Sequence, residues 1–146
     1  LVTVELRWWD THVKGYETMR DGFLPRWDQA YTALLQDLEE RGLMDRVMVI
    51  AWGEFGRSPK VNATGGRDHY PGVFSAAMCG GGIQGGAVIG SSDAKGALPK
   101  DRPIRPQDVL ATMYRHLGVD TEKQYTDFAG RPHPVLPFGD PIEELF

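Results

Sequence analysis

The chain has 146 residues, of which 41% are hydrophobic and 25% are charged, a composition typical of one soluble globular domain. Its 16 basic and 20 acidic side chains give a net charge of -4, so the sequence lacks the basic surface expected of a nucleic-acid-binding protein. No apolar run reaches the ~18 residues that a membrane-spanning helix needs, and a single cysteine excludes an internal disulfide framework.

The first residues predict a β-strand, because Val2, Val4 and Leu6 alternate with more polar side chains across residues 1–8. The strand begins at the first residue, without a leading methionine or a targeting signal. We therefore expect residues 1–146 to be one domain that forms the C-terminal part of a longer protein.

A strongly amphipathic helix is predicted from about Pro25 to Arg41, with Gly42 ending it. Its apolar side chains recur at spacings of three and four: Leu24, Trp27, Tyr31, Leu34, Leu35 and Leu38. The apolar run that follows, residues 47–52, is typical of a strand buried on both faces of a parallel sheet. Strand, helix and buried strand together predict an α/β fold, with a mostly parallel sheet flanked by helices.

The second half of the chain is rich in glycine and proline. Short strands are predicted at residues 73–78 and 87–89, joined as a hairpin around the glycine cluster at 80–86. A second helix is predicted from Pro106 to Gly118. From Tyr125 onward the sequence predicts a tail without regular structure.

Polar side chains cluster where the predicted strands end. Asp10 and His12 follow the first strand, Glu54 follows the buried strand, and Asp68 and His69 lie in the glycine-rich loop beyond it. Ligands of open α/β sheets bind outside the carboxyl ends of the strands. Carboxylates and imidazoles that converge from separate loops are what a divalent-metal site needs, so these five residues are candidate ligands.

Each of these residues also has a structural interpretation. Asp10 and His12 could stabilise a turn, Glu54 could cap a turn or pair with Arg57, and an Asp-His step in a loop is common in solvated segments. We favour structural roles for the two histidines outside the clusters, His116 and His133, and for Cys79 within an apolar strand.

Taken together, the motifs resemble one bacterial family, the sulfatase-like group known as domain of unknown function 1501. The resemblance rests on Trp9-Asp10-Thr11-His12, Leu34-Leu35-Gln36-Asp37-Leu38, Gly53-Glu54-Phe55-Gly56-Arg57-Ser58-Pro59, Gly66-Arg67-Asp68-His69 and Gly80-Gly81-Gly82-Ile83. It covers nearly the whole chain, up to Pro141-Ile142-Glu143-Glu144-Leu145-Phe146. It implies an alkaline-phosphatase-like fold, of which this chain is the C-terminal portion.

The resemblance also implies roles for individual residues. Asp10 and His12 fall where the alkaline phosphatase and sulfatase superfamily has an Asp and a His of one metal site, and His69 falls at a third ligand. Glu54 occupies the position of a ligand at the end of a central strand. Phe55 stands where the superfamily has a further metal-binding histidine, which argues against a second ion. The superfamily's nucleophile, a serine, threonine or modified cysteine, has no counterpart here.

Two functions follow as hypotheses. In the first, Asp10, His12 and His69 hold a divalent metal such as zinc, with Glu54 and Asp68 as further ligands or supporting groups. The chain then serves a hydrolase of phosphate or sulfate esters, and Arg57 or Arg67 binds the anion. The substrate would be a small-molecule or glycan ester, and the nucleophile would come from the rest of the parent protein. In the second, the chain is a non-catalytic domain whose polar residues only fix loops.

Two further expectations concern assembly and location. A sheet with an uncovered edge would favour a homo-oligomer. The resemblance implies a parent protein exported to the periplasm or cell envelope, although no export signal is visible in these residues.

Overall fold

The structure, a computed structural model, describes residues 1–146. Its helices are α1 (Gly15–Thr18), α2 (Leu24–Glu40) and α3 (Pro106–Leu117), with a π-helical turn (Met19–Phe23) between α1 and α2 and a 3-10 turn (Glu143–Leu145) near the end. Eight short strands complete the secondary structure: β1 (Met48–Ala51), β2 (Gly56–Arg57), β3 (His69–Tyr70), β4 (Ala77–Gly80), β5 (Ser91–Ser92), β6 (Pro99–Asp101), β7 (Gln124–Thr126) and β8 (Pro132–Pro134).

Both predicted helices are confirmed, and local signals explain their ends. Pro25 lies in the first turn of α2, and Gly42, at φ +64, follows its last turn. The amide of Gly42 donates to the carbonyl of Glu39 and that of Leu43 to the carbonyl of Leu38, which is the Schellman arrangement. The first helix begins earlier than predicted, because α1 and the π-helical turn precede α2 without a break.

The second helix, α3, begins at Pro106 and is followed by Gly118 at φ +67. At its N-terminus the Asp108 carboxylate accepts the Arg105 amide at 2.8 Å, while the Asp108 amide donates to the Arg105 carbonyl at 2.9 Å. These bonds satisfy backbone groups that an uncapped helix would leave unpaired.

The predicted parallel sheet flanked by helices is wrong, and with it the alkaline-phosphatase-like α/β fold. The strands form only two-stranded sheets, β1 with β4, β2 with β3, β5 with β6, and β7 with β8. The predicted first strand, residues 1–8, has no regular structure, and Val2 and Val4 are each 87% exposed. Without this strand beside β1, the expected strand–helix–strand unit has no second parallel strand to complete it.

Two smaller predictions are also wrong. Residues 87–89 form no strand, and β4 pairs with β1 and not with a following hairpin partner. The tail is not irregular throughout, since β7 and β8 pair antiparallel with Tyr125 opposite His133.

The chain is divided into two compact units. The first comprises Leu1–Leu43, Ala51–Ala77 and Ser92–Pro99, and the second Met44–Ile50, Met78–Ser91 and Lys100–Phe146. The core of the second unit is formed by Val109, Ile142 and Leu145, which pack against Ile50, Met78, Ile83, Ile89, Ile104 and Phe146. In the first unit the buried residues are Thr11, Leu38 and Gly66. No helix is both long enough and apolar enough to cross a membrane.

Candidate metal site

The candidate site lies in the first unit, where two loop segments, residues 9–15 and 62–69, run side by side. Val13 and Gly65 form an antiparallel bridge. The amide of Arg67 donates to the carbonyl of Thr11 at 3.1 Å. These backbone bonds bring Asp10 and His12 on one segment close to Asp68 and His69 on the other. These four residues therefore lie close together, as predicted, although the predicted edge of a parallel sheet is absent.

Close approach of the two segments depends on Gly66. A Cβ atom at this position would lie less than 3.0 Å from the backbone carbonyl atoms of His12 and from the carbonyl oxygen of Thr11. Thr11 and Gly66 are both buried, so the backbone between Asp10 and His12 is packed while the neighbouring polar side chains stay accessible.

A short pair of strands positions His69, the last of the candidate ligands. In the β2–β3 ladder Arg57 lies opposite His69, and Gly56 lies opposite Tyr70. This pairing fixes the start of β3 beside the segment that carries Phe55. The Phe55 and His69 rings are 4.4 Å apart between centroids, so an apolar face supports the His69 imidazole.

Three side chains converge on one point. His12 Nε2 lies 2.9 Å and His69 Nε2 lies 2.8 Å from Oδ1 of Asp10. The ligand atoms of these three residues all lie within 4.8 Å of one another. Two imidazole nitrogens and one carboxylate oxygen are therefore gathered as a single donor set.

Asp68 binds the opposite side of the His12 ring. Its Oδ1 lies 2.7 Å from His12 Nδ1, so Asp68 contacts the ring away from the point where Asp10 and His69 meet. Asp68 is thus placed to orient His12, in the way that a carboxylate commonly supports a metal-binding histidine.

Arg57 supplies positive charge next to the cluster. Its Nη1 donates to Oδ1 of Asp10 at 3.0 Å, and its Nη2 donates to the carbonyl of Trp9 at 3.1 Å. The Arg57 side chain is 21% exposed, so its contact with Asp10 is better shielded from water than the two imidazole contacts.

These contacts favour the ionised carboxylates. The hydrogen bond with His69, and next that with Arg57, lower the pKa of Asp10 to about 2. The pKa of Asp68 is also lowered, first by its hydrogen bond with His12 and then by the Asn62 amide. Both acids are therefore negatively charged at neutral pH, as cation ligands and their supporting groups must be.

Comparisons with known proteins agree with the motifs at the family level. The family model described as "Protein of unknown function (DUF1501)" matches residues 1–146. The chain belongs to this family. No curated protein and no solved structure matches it. The family description states no activity, so function must be argued from the site.

Two of the predicted residues of this DUF1501 chain, Glu54 and Arg67, have side chains that contact none of the three converging residues. Glu54 is exposed and makes no hydrogen bond or ion pair with the cluster. The Nη1 of Arg67 donates to the carbonyls of Ser58 and Pro59 at 2.7 and 2.6 Å, and its Nη2 donates to the Tyr16 hydroxyl at 2.9 Å. Arg67 thus ties the loop to α1.

Sequence reasoning missed Asn62 and Thr64, which connect the two segments. The Thr64 hydroxyl donates to the His12 carbonyl at 2.7 Å, and the Asn62 amide donates to the same carbonyl at 3.0 Å. The available signal was Asn62 at the head of Asn-Ala-Thr-Gly-Gly, a pattern typical of a side-chain-stabilised turn.

Proposed function

We propose that this protein binds one divalent cation through Asp10, His12 and His69, and that it serves the metal-dependent hydrolysis of phosphate or sulfate esters. The observation that carries the proposal is the convergence of three ligand atoms within 4.8 Å. In a tetrahedral zinc site, bonds of about 2.0 Å place neighbouring ligand atoms about 3.3 Å apart. The two contacts to Asp10, at 2.8 and 2.9 Å, are already near that spacing.

The donor set favours zinc among the common divalent ions. Nitrogen from two imidazoles and oxygen from one carboxylate is a combination that zinc accepts, whereas calcium and magnesium prefer oxygen alone. Asp68 would stay outside the ligand set and hold the His12 ring. When bound, such a cation supplies Lewis-acid polarisation of an ester oxygen.

The chain's own residues would then bind and orient the ester. Arg57 is the better candidate for the anionic group, because its guanidinium contacts Asp10 directly. Arg67 is less suited, since its terminal nitrogens donate to the Ser58 and Pro59 carbonyls and the Tyr16 hydroxyl, and none of them contacts Asp10, His12 or His69. A guanidinium that faces phosphate or sulfate can donate two parallel hydrogen bonds.

The attacking group is expected from another part of the parent protein, as the sulfatase-like resemblance implies. The hydroxyl closest to the cluster along the chain, that of Thr11, belongs to a buried residue. The Thr64 hydroxyl already donates to the His12 carbonyl. The relationship to sulfatases is itself part of this proposal.

The test is metal content and affinity in matched histidine variants. After dialysis against metal-free buffer, the wild-type chain is titrated with zinc against a chromophoric chelator. His69→Ala should lose most of the binding, whereas His133→Ala should not, because His133 pairs with Asp127 in the other unit. No zinc binding by the wild type, or equal binding by both variants, would refute the metal site.

The catalytic part needs its own assay. The full-length parent protein loaded with zinc should hydrolyse an aryl phosphate or an aryl sulfate, and Arg57→Ala should raise KM for that ester. A zinc-loaded parent protein that cleaves neither ester would leave the metal site standing and refute the hydrolase.

One observation favours the non-catalytic alternative. Oδ1 of Asp10 already accepts hydrogen bonds from Arg57 and His69, and His12 Nε2 lies 2.9 Å away, so the side chains of the cluster already contact one another. Such a network could simply join the two loop segments. In that case His69→Ala would lower the melting temperature, and zinc would not raise that of the wild type.

A further inference from the structure

We infer that Asn62 is the positioning residue of this site: it holds Asp68 and the His12 backbone so that His12 presents Nε2 to the cation. This role rests on the proposed metal site and adds a residue to it. Asn62 is a side chain that the sequence motifs did not single out.

Asn62 uses both ends of its amide. Its Oδ1 accepts the amide of Thr64 at 3.0 Å and the amide of Gly66 at 2.9 Å. Its Nδ2 donates to the His12 carbonyl at 3.0 Å and to Oδ1 of Asp68 at 3.1 Å. The oxygen therefore shapes its own loop, while the nitrogen contacts the two residues that orient the ligand ring.

The two hydrogen bonds that Asn62 donates hold His12 at its backbone and, through Asp68, at its ring. One anchors the backbone of His12, and the other holds the carboxylate that binds His12 Nδ1 at 2.7 Å. Asp68 Oδ1 thus accepts from both the Asn62 amide and the His12 imidazole, and these two donors fix the orientation of the carboxylate. An ionised carboxylate only accepts, so Nδ1 keeps its proton and Nε2 is the nitrogen that can bind a cation.

Asn62→Asp separates positioning from loop stability. The variant keeps an acceptor where Oδ1 stands, so the two amide hydrogen bonds that shape the loop can persist. It loses both donated bonds and places a second carboxylate against Asp68. An added negative charge near a cation site should by itself strengthen cation binding. A loss of affinity therefore identifies lost orientation and excludes a simple charge effect.

The experiment measures zinc affinity by chelator competition and melting temperature in four chains. The wild type, Asn62→Asp, Asp68→Asn and Gln124→Glu are compared, the last being an amide-to-acid change on exposed β7 in the other unit. Loss of a group that orients a metal ligand typically weakens binding about 10–100-fold. We expect such a loss in Asn62→Asp and Asp68→Asn, and less than a twofold change in Gln124→Glu.

A second measurement needs no variant. Asn62 is the only asparagine in the chain, so asparagine-selective 15N labelling gives one side-chain amide signal. Its two protons should exchange with water at least tenfold more slowly than those of a free asparagine amide. Free-rate exchange would overturn the inference, even if Asn62→Asp does not fold.

The outcomes distinguish the two proposals. Zinc binding by Asn62→Asp at wild-type affinity would overturn the role of Asn62 and leave the metal site intact. Failure of the wild type to bind zinc would overturn the metal site itself. A tenfold loss in Asn62→Asp at an unchanged melting temperature would support both.

Discussion

Gly66→Ala tests whether close approach of the two loop segments builds the site. The added Cβ would lie less than 3.0 Å from three backbone atoms of Thr11 and His12, whereas carbon contacts are comfortable at about 3.5 Å. The two segments must therefore move apart by at least about half an ångström. Ligand distances in a metal site tolerate about 0.2 Å, and this relative displacement of the segments that carry His12 and His69 exceeds that margin. We expect zinc affinity to fall at least tenfold.

The same substitution should lower stability. Overpacking against atoms that cannot move freely typically costs about 1–3 kcal/mol, which for a chain of this length lowers the melting temperature by ~3–12 °C. Zinc titration and thermal unfolding measure both effects. Gly22→Ala is the matched control, because a Cβ there meets nothing within 4 Å and the residue lies in a helical segment. Wild-type affinity and stability in Gly66→Ala would refute the reasoning.

Two predictions concern the second unit. Thr112 is fully buried, and its Oγ1 accepts the Ile142 amide at 2.9 Å, so Thr112→Val should cost about 1–3 kcal/mol in urea unfolding by leaving that amide unpaired. Thr112→Ser, which keeps the hydroxyl, should cost less, and equal costs would contradict the argument. The hydrogen bond from Arg102 lowers the pKa of Glu144 to about 2 from its ordinary 4.5, so this pair stabilises the fold above pH 4.5 and loses that contribution as the pH falls toward 2. Glu144→Gln should flatten the fall of the urea midpoint between pH 4.5 and 2, and an unchanged slope would contradict the assignment.

The fold could be predicted from the sequence only where its signals are local. Gly42 ends the first helix, and Pro106 and Gly118 bound the second, because helix ends are fixed by residues within a few positions of the terminus. Pro25 did not mark the start of the first helix, which is continuous with α1 through the π-helical turn. The alternation of apolar and polar side chains in residues 1–8 defines the two faces of a strand, but it does not identify a neighbouring strand to pair with. Since a strand exists only as part of a sheet, that segment stays without regular structure where no neighbour pairs with it. The prediction of a parallel sheet was wrong for this reason.

In the candidate site, too, only the residues with local sequence signals could be predicted. Asp10 with His12, and Asp68 with His69, could be found because each pair is contiguous or nearly so and contains residues that bind metals. Asn62 could not be found in this way, since an asparagine in a glycine-rich loop predicts a turn and gives no indication of what its Nδ2 will meet. That contact arises only when residues 62–69 lie against residues 9–15, which needs the close backbone approach at Gly66. A positioning residue acts across the fold, and its role therefore becomes visible only when both chain segments are in place.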